Sequence, residues 1–441
     1  MKKNITTSFE AKLTLNDFSN SAKSLVELLK KINDSRVKKG NVKHTIPNIL
    51  LQTLLSLLNG NKSLRENEEF GINNFGTSPS KSTINRILST LDCKELQMVL
   101  NEWSLNLFSK INKENINSIL AIAIDGKRLK NFVTPASDHN AILHINAFVT
   151  DLKLTINSIV TETVKVDKIR YPADRNLCHE INKTRNLSEG EAFRVIVESL
   201  TTQISSFLVT GDSAHLSTTT LLLLKENNID FIFGLKRNTP KLFELLTNDS
   251  VVLNSFEQNE KQVHKKFEIF KIPDIIDTKA TNKKNLIWND LNLNTLIKVT
   301  TTDSKKRKVS LEKRIKTGTN PSKKFKKDRY CKNENTKIYV RYYVTSLLFN
   351  TAPEQLSKLI RDHWQVENNN HRCRDVEFKE DKSYMKNSNH VKTNGLLLNT
   401  ALNLLYTKTG TNTTKKAKTS IKKELKKLTN RLDLCLEVLK D

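Results

Sequence analysis

The chain has 441 residues, enough for two or three domains and a well-buried core, so size is no obstacle to an enzyme. Its 73 Lys+Arg against 47 Asp+Glu leave a formal charge of +26, more than solubility alone requires, and point to a polyanionic partner, nucleic acid first. The 5 cysteines form no CxxC pair, which argues against a zinc ribbon or disulfide scaffold, and no segment reaches about 18 uninterrupted apolar residues.

The N-terminus carries two lysines but no apolar stretch behind them. A cytoplasmic protein that neither is secreted nor spans a membrane is therefore expected, at the nucleoid if its partner is DNA. Residues 20 to 115 read as helices, with Ile46, Ile49, Leu50, Thr53, Leu54, Leu57 and Leu58 on one face. In SPSKSTINRILSTLD, Ile84, Ile87, Leu88 and Leu91 form an apolar stripe, Lys81, Asn85 and Arg86 point outward, and serines are available as N-caps. That outward face fits a DNA-reading helix and an ordinary solvated helix equally well.

At Ser118 the period changes from helix to sheet. ILAIAID, LHINAFVTD and KLTINSIVTETV predict three adjacent strands, with the first ending at Asp125. A helix over SEGEAFRVIVESL, a strand FLVTGD, a helix STTTLLLLKENN and a strand DFIFGL follow, an alternation that indicates an α/β sheet. Residues 240 to 348 are polar, with strand-like KKFEIFKI, LIKVTTT and IYVRYYVTSLL, and residues 301 to 340 hold 14 Lys+Arg against 4 Asp+Glu. This basic stretch fits a disordered loop or a DNA-tracking arm. Helix returns near 353 and is followed by a Lys/Thr-rich linker and a short amphipathic helix.

Cutting phosphodiester bonds requires an activated oxygen nucleophile and charge neutralisation at the leaving oxygen, which two hard divalent cations on carboxylates provide. Asp125 and Asp212 each close an apolar strand-like run, where α/β sheets place ligands at carboxyl ends, although turn-forming is the commoner role of such an aspartate. Glu367 falls in PEQLSKLIRDHWQVENNNHRCRD on one helical face with Leu356, Leu359, Ile360, His363, Trp364 and His371. A carboxylate within such a core-facing stripe must find a partner or a metal.

AIAIDGKRLK, LVTGDSAHLSTTT, DFIFGLKRN, RYYVTSL and LIRDHWQVENNNHRCRDVEFKEDKS resemble successive motifs of insertion-sequence transposases of the DDE superfamily, in the branch that includes the H-repeat-associated proteins. NGNKSLRE and SPSKSTINRIL resemble that branch's helical leader, so the similarity spans roughly residues 40 to 406. It implies an α/β, ribonuclease-H-like catalytic core with a β-rich insertion, preceded by an all-α N-terminal domain. The corresponding segments are 1–115, 116–239, 240–348, 349–406 and 407–441.

The resemblance also implies that Asp125, Asp212 and Glu367 hold Mg²⁺, with Mn²⁺ as a substitute, and that the protein cuts and joins DNA at terminal inverted repeats and target sites, as a homodimer or higher assembly. Arg361 matches the R-x-H-W arginine and suits a phosphate contact. Lys236 and Lys127 are further candidates for DNA contact, as are His371, which also fits a role orienting substrate or the glutamate, and His215. Trp364 is expected in the core and Glu268 to be structural. Arg237, Thr239, Arg372 and Tyr384 depart from the residues usual at those positions. A metal-dependent nuclease without strand joining and a non-catalytic DNA-binding descendant are the alternatives.

Overall fold

The computed structural model describes residues 20–34, 36, 42–112, 119–129, 141–163, 187–247, 252–260, 263–272, 291–303, 337–382, 385, 387–410 and 420–440. Two compact units are formed, one from Met1–Thr210 with Arg361–Asp441 and one from Gly211–Ile360.

The first unit begins with helices α1 (Asn20–Leu29), α2 (Ile46–Leu58), α3 (Leu64–Phe75), α4 (Lys81–Thr90) and α5 (Cys93–Ile111). Their starts are set locally. Thr45, Ser63, Ser80 and Asp92 each accept a first-turn backbone N–H, and Ser63 with Glu66 closes a capping box before α3. Ile84, Ile87, Leu88 and Leu91 are buried and Lys81, Asn85 and Arg86 exposed, as the stripe predicts. Helix α2 differs from its one-faced reading, because Leu51, Gln52, Leu55 and Ser56 are buried too. It is packed by α1, α3 and two helices from the end of the chain, so little of its surface meets water.

Strands β1 (Ala121–Leu129), β2 (Ala141–Val149), β3 (Leu154–Thr163) and β4 (Leu208–Gly211) follow, with α6 (Glu189–Thr201) before β4. Their order is β3-β2-β1-β4, as three adjacent strands and a fourth. Ala121–Ile124 are almost fully buried, as a central strand covered on both faces must be. Strand β1 does not stop at Asp125. Antiparallel pairing with β2 runs from Ile122 to Leu129, whereas parallel pairing with β4 covers only Ala121–Ala123.

After residue 360 the unit resumes with the end of α9 (Pro353–Gln365), a π-helical turn (Val366–His371), α10 (Arg372–Val376), α11 (Ser388–Gly410), α12 (Ile421–Leu428) and α13 (Leu432–Lys440). Helix α11 packs against β2, β3, α2, α4 and α5. It carries Gly395 where a Cβ would stand 2.9 Å from Arg374 Nη2 and 3.3 Å from the His144 ring. Helix α13 reaches back to α1 and α2, and Asn59 Nδ2 donates to Leu428 O at 3.2 Å.

The second unit holds α7 (Thr218–Glu226), β5 (Asp230–Leu235), α8 (Pro240–Thr247), β6 (Asn254–Glu260), β7 (Val263–Lys271), β8 (Thr295–Asp303) and β9 (Lys337–Thr345). The last four strands and β5 pair antiparallel in the order β5-β9-β8-β7-β6, and KKFEIFKI, LIKVTTT and IYVRYYVTSLL supply strands as read from their sequence. Strand β6, NSFEQNE, was not legible because it is an edge strand with one apolar residue in seven. Residues 304–336 of the basic stretch lie outside the described residues. The chain is thus a mixed α/β protein whose described residues before β1 form helices and their connections. No helix among the described residues is long and apolar enough to cross a membrane.

Candidate active site

Asp125 lies in β1 two residues beyond its last parallel pair with β4, opposite Asn146 of β2. Its side chain is 24% exposed, and Oδ2 stands 3.6 Å from His371 Nδ1. The π-helical turn that carries Glu367 and His371 packs on β1, with Val366 in a buried cluster with Ala123 and Phe148. Asn370 and His371 of this turn are both buried. Glu367 itself is exposed, which corrects the expectation of a carboxylate in a buried stripe. Trp364 is 40% exposed, also against expectation. The buried apolar positions are Leu356, Leu359, Ile360 and Val366, a stripe that leaves Trp364 and Glu367 on its margin.

Behind Asp125 is a buried polar relay. Arg374 Nη1 donates to Asn399 Oδ1 at 3.2 Å, Asn399 Nδ2 donates to Asn146 Oδ1 at 2.7 Å, and Asn146 Nδ2 stands 3.3 Å from His371 Nε2. Ser158 Oγ donates to Asn146 Oδ1 at 3.1 Å, and Asn370 Nδ2 donates to Asn399 Oδ1 at 2.9 Å. A guanidinium has only donors, so it turns each amide in sequence and leaves His371 Nε2 as an acceptor. The ring proton then sits on Nδ1, facing Asp125. Burial, with Arg374 and Lys127 adding to it, pushes the His371 pKa down to about 3. The contact with Asp125 is therefore made by a neutral imidazole and is not an ion pair.

Arg374 is fully buried. It also donates from Nε to Glu380 Oε2 at 3.0 Å and from Nη1 to His144 Nδ1 at 2.6 Å. Lys127, expected to meet DNA, is buried among Asp375 at 2.6 Å, Glu380 at 3.1 Å and Asp381 at 3.3 Å. Burial pulls its pKa down, but Glu380 and Asp375 outweigh that and hold it above the ordinary lysine value. The same burial, against Lys127, raises Asp375. Lys127 so placed is a counterion for three carboxylates, with no ammonium surface left for a phosphate.

Asp212 belongs to the second unit. Its Oδ1 accepts the Ala214 backbone N–H at 2.7 Å and stands 3.9 Å from His215 Nε2; the side chain is 42% exposed. It therefore forms the turn that its position suggests and keeps oxygen surface open. Gly211 before it is required by space, since a Cβ would lie 2.8 Å from the Phe233 ring. His215, a candidate for DNA contact, is buried, and Ser217 caps α7. Lys236 and Asn238 follow β5 and are exposed, with Asn238 Nδ2 donating to Ser213 O at 2.6 Å. Arg361 is exposed, and His363 Nδ1 is 3.1 Å from Thr210 Oγ1. Glu268 is held between Lys298 at 2.8 Å and Lys266 at 3.3 Å, which lower its pKa and fit a structural role.

Among the described residues, no three His, Cys, Asp and Glu side chains are gathered closely enough to share a metal ion. The residues that sequence reasoning missed are Asn146, Ser158, Arg374 and Asn399. Asn146 and Asn399 each interrupt an apolar run, LHINAFV and GLLLNTALNLL, and a polar group there must find a buried partner.

Residues 174–404 match the family model described as the transposase DDE domain, and the chain belongs to that family, as a DDE-superfamily transposase. The match takes in Asp212 and Glu367 and begins after Asp125. YncI of Escherichia coli O157:H7 is 23% identical over 395 residues, 87% of this chain and 88% of its own length. YhhI of E. coli K12, an H repeat-associated protein, is 23% identical over 397 residues, 87% of this chain and 90% of its own. Both bear transposase names. Among solved structures, a piggyBac transposase synaptic complex with hairpin DNA matches with a TM-score of 0.38 and 10% identity, covering 98% of this chain and 81% of that one.

Proposed function

We propose that the protein cuts and joins DNA at the ends of an insertion sequence, using Asp125, Asp212 and Glu367 to hold Mg²⁺ or Mn²⁺. One observation carries this reading: Ala123 and Thr210 are the last parallel pair of β1 and β4, and Asp125 and Asp212 each follow that pair by two residues. Just past the end of parallel pairing is the side on which α/β sheets place their ligand sites. The order β3-β2-β1-β4, with only β1 and β4 parallel, also suits a ribonuclease-H-like core.

The donor set fits the metal. Asp125 and Asp212 keep oxygen surface open and Glu367 is exposed, and carboxylate oxygens are what hard divalent cations take. When bound, the metal supplies activation of the attacking hydroxyl and neutralisation of the leaving oxygen. Asp125, Asp212 and Glu367 would hold the ions through their carboxylate oxygens. His371 presents its Nδ1 proton to Asp125 and orients that carboxylate.

Arg361 and Lys236, both exposed cations, are assigned to backbone phosphates. Terminal inverted repeats, target DNA, a multimer that joins two ends and a place at the nucleoid complete the proposal. The test supplies a pre-cut 3′-hydroxyl end and a target plasmid with Mg²⁺. Joined product supports the reading, hydrolysis alone makes the protein a nuclease, and binding without cleavage makes it a non-catalytic DNA-binding protein.

A further inference from the structure

Within the first unit, segment 366–381 lies along one face of β1 in three steps. Ala123, Asp125 and Lys127 are alternate residues of that strand and so share a face, and their β2 partners are Phe148, Asn146 and His144. The first step is apolar, with Val366 against Ala123 and Phe148. At the second, His371 meets Asp125 and Asn146. The third is ionic. Lys127 Nζ stands 2.6 Å from Asp375, 3.1 Å from Glu380 and 3.3 Å from Asp381, while Arg374 Nη1 donates to His144 Nδ1 at 2.6 Å.

The steps differ in what they specify. An apolar contact is non-directional, so Val366 alone tolerates sliding along the strand. The Lys127 side chain is 5% exposed, and a buried ionic group gains little over apolar packing of the same volume; its best-attested use is to fix register. Successive residues on one face of a strand are about 7 Å apart, two rises of about 3.4 Å. Sliding the segment by one step toward Ala123 would bring Asp375 to the Asp125 carboxylate, like charge against like charge. Sliding it the other way would set the acids on Leu129, a buried apolar residue, and leave Lys127 facing a neutral His371. The observed register avoids both.

We propose that Lys127 is a positioning residue for the DNA-cutting site: held by Asp375, Glu380 and Asp381, its ammonium fixes the register of segment 366–381 on β1 and thereby sets His371 and Glu367 relative to Asp125. The roles of Asp125 and Glu367 as metal ligands belong to the proposed function, and the inference rests on it there. The register itself does not. Lys127 acts from within the fold, through the segment it holds.

The test uses the full chain without metal or DNA, carrying nitrogen-15-labelled histidine, with His371 assigned from the resonances lost in His371→Phe. Lys127→Met, which keeps the side chain long and removes its charge, is compared with Asp381→Asn and with the two together. In Lys127→Met the His371 ring should leave Asp125 and Asn146, and its nitrogen shifts should move toward those of a free imidazole exchanging between its two neutral forms. Asp381→Asn leaves Asp375 and Glu380 on the ammonium and should move them less, in the same direction. Together the changes should move them no further than Lys127→Met alone, because Asp381 acts through Lys127. In cleavage of a terminal-repeat duplex, Lys127→Met should raise the Mg²⁺ concentration for half-maximal rate by roughly 10–100-fold and leave duplex affinity unchanged.

His371 resonances unmoved in both single variants, or shifts that add, overturn the proposal whatever the variants cost in urea unfolding. An ion cluster that only stabilises the fold lowers that cost and leaves the folded register alone. Should Lys127→Met not fold, Asp381→Asn decides by itself: a moved His371 supports the proposal and an unmoved one overturns it. The two readings fail separately, since a His371 response in a protein that cuts nothing keeps the register and removes the enzymatic reading. Mg²⁺-dependent cleavage with His371 unmoved does the reverse.

Discussion

His371 stands with Nδ1 3.6 Å from Asp125 Oδ2, while its Nε2 faces Asn146 Nδ2 at 3.3 Å, so the ring links a strand carboxylate to an amide inside the sheet. The direction of every hydrogen bond in that line is set by Arg374, which cannot accept. Asn146→Asp replaces the donor by an acceptor and should move the His371 proton from Nδ1 to Nε2, visible in the nitrogen-15 shifts of the ring. His371→Phe should lower metal affinity and cleavage by roughly 10–100-fold, as loss of a group that orients a ligand does. An unaltered tautomer in Asn146→Asp would contradict the relay.

Glu380 neutralises two buried cations, Arg374 and Lys127. Glu380→Gln leaves the guanidinium without its paired carboxylate at a fully buried site. A loss of about 3–5 kcal/mol in urea unfolding is expected, the cost of breaking a buried pair by removing one partner. Arg65→Gln, whose pair with Glu69 is solvent-exposed, should cost less than about 1 kcal/mol.

His390 gives stability a pH dependence of definite sign. Its folded pKa of about 4 lies below the ordinary 6.5, so the folded state binds fewer protons than the unfolded chain between those values. The stabilising share is whole above pH 6.5 and is lost as pH falls toward 4, amounting to about 3 kcal/mol at 1.36 kcal/mol per pH unit. His390→Gln should flatten the fall of unfolding free energy across that window. An unchanged slope would show that the ring is not held neutral.

Trp103 and Trp364 separate core from margin. Trp103 is 1% exposed and Trp364 40%. Truncation to Ala should cost about 3–5 kcal/mol at Trp103 and about 1 kcal/mol at Trp364, compared by chemical denaturation. Equal costs would mean that Trp364 packs as a core residue.

That contrast also shows where the sequence was legible. The α4 stripe and the strands around Asp125 and Asp212 follow from local periodicity and burial, which act on neighbouring residues. Strand β1 ran past Asp125 because its length is set by pairing with β2, a partner that Asp125's own neighbours do not reveal. The burial of Lys127 was hidden for the same reason, since its three carboxylates come from residues 375 to 381. Glu367 and Trp364 were misplaced because a 3.6-residue period spreads one face too widely over a stripe that narrows before a π turn. The relay through Asn146 and Asn399 was signalled only as polar residues within apolar runs.

The most direct test of the central claim is Mg²⁺-dependent cleavage of a duplex carrying the element's terminal repeat, with the intact protein and with Asp125→Asn, Asp212→Asn and Glu367→Gln. The account predicts cleavage by the intact protein that chelation of the metal abolishes, and none by any of the three variants although each still binds the duplex. Undiminished cleavage by any one variant would contradict it.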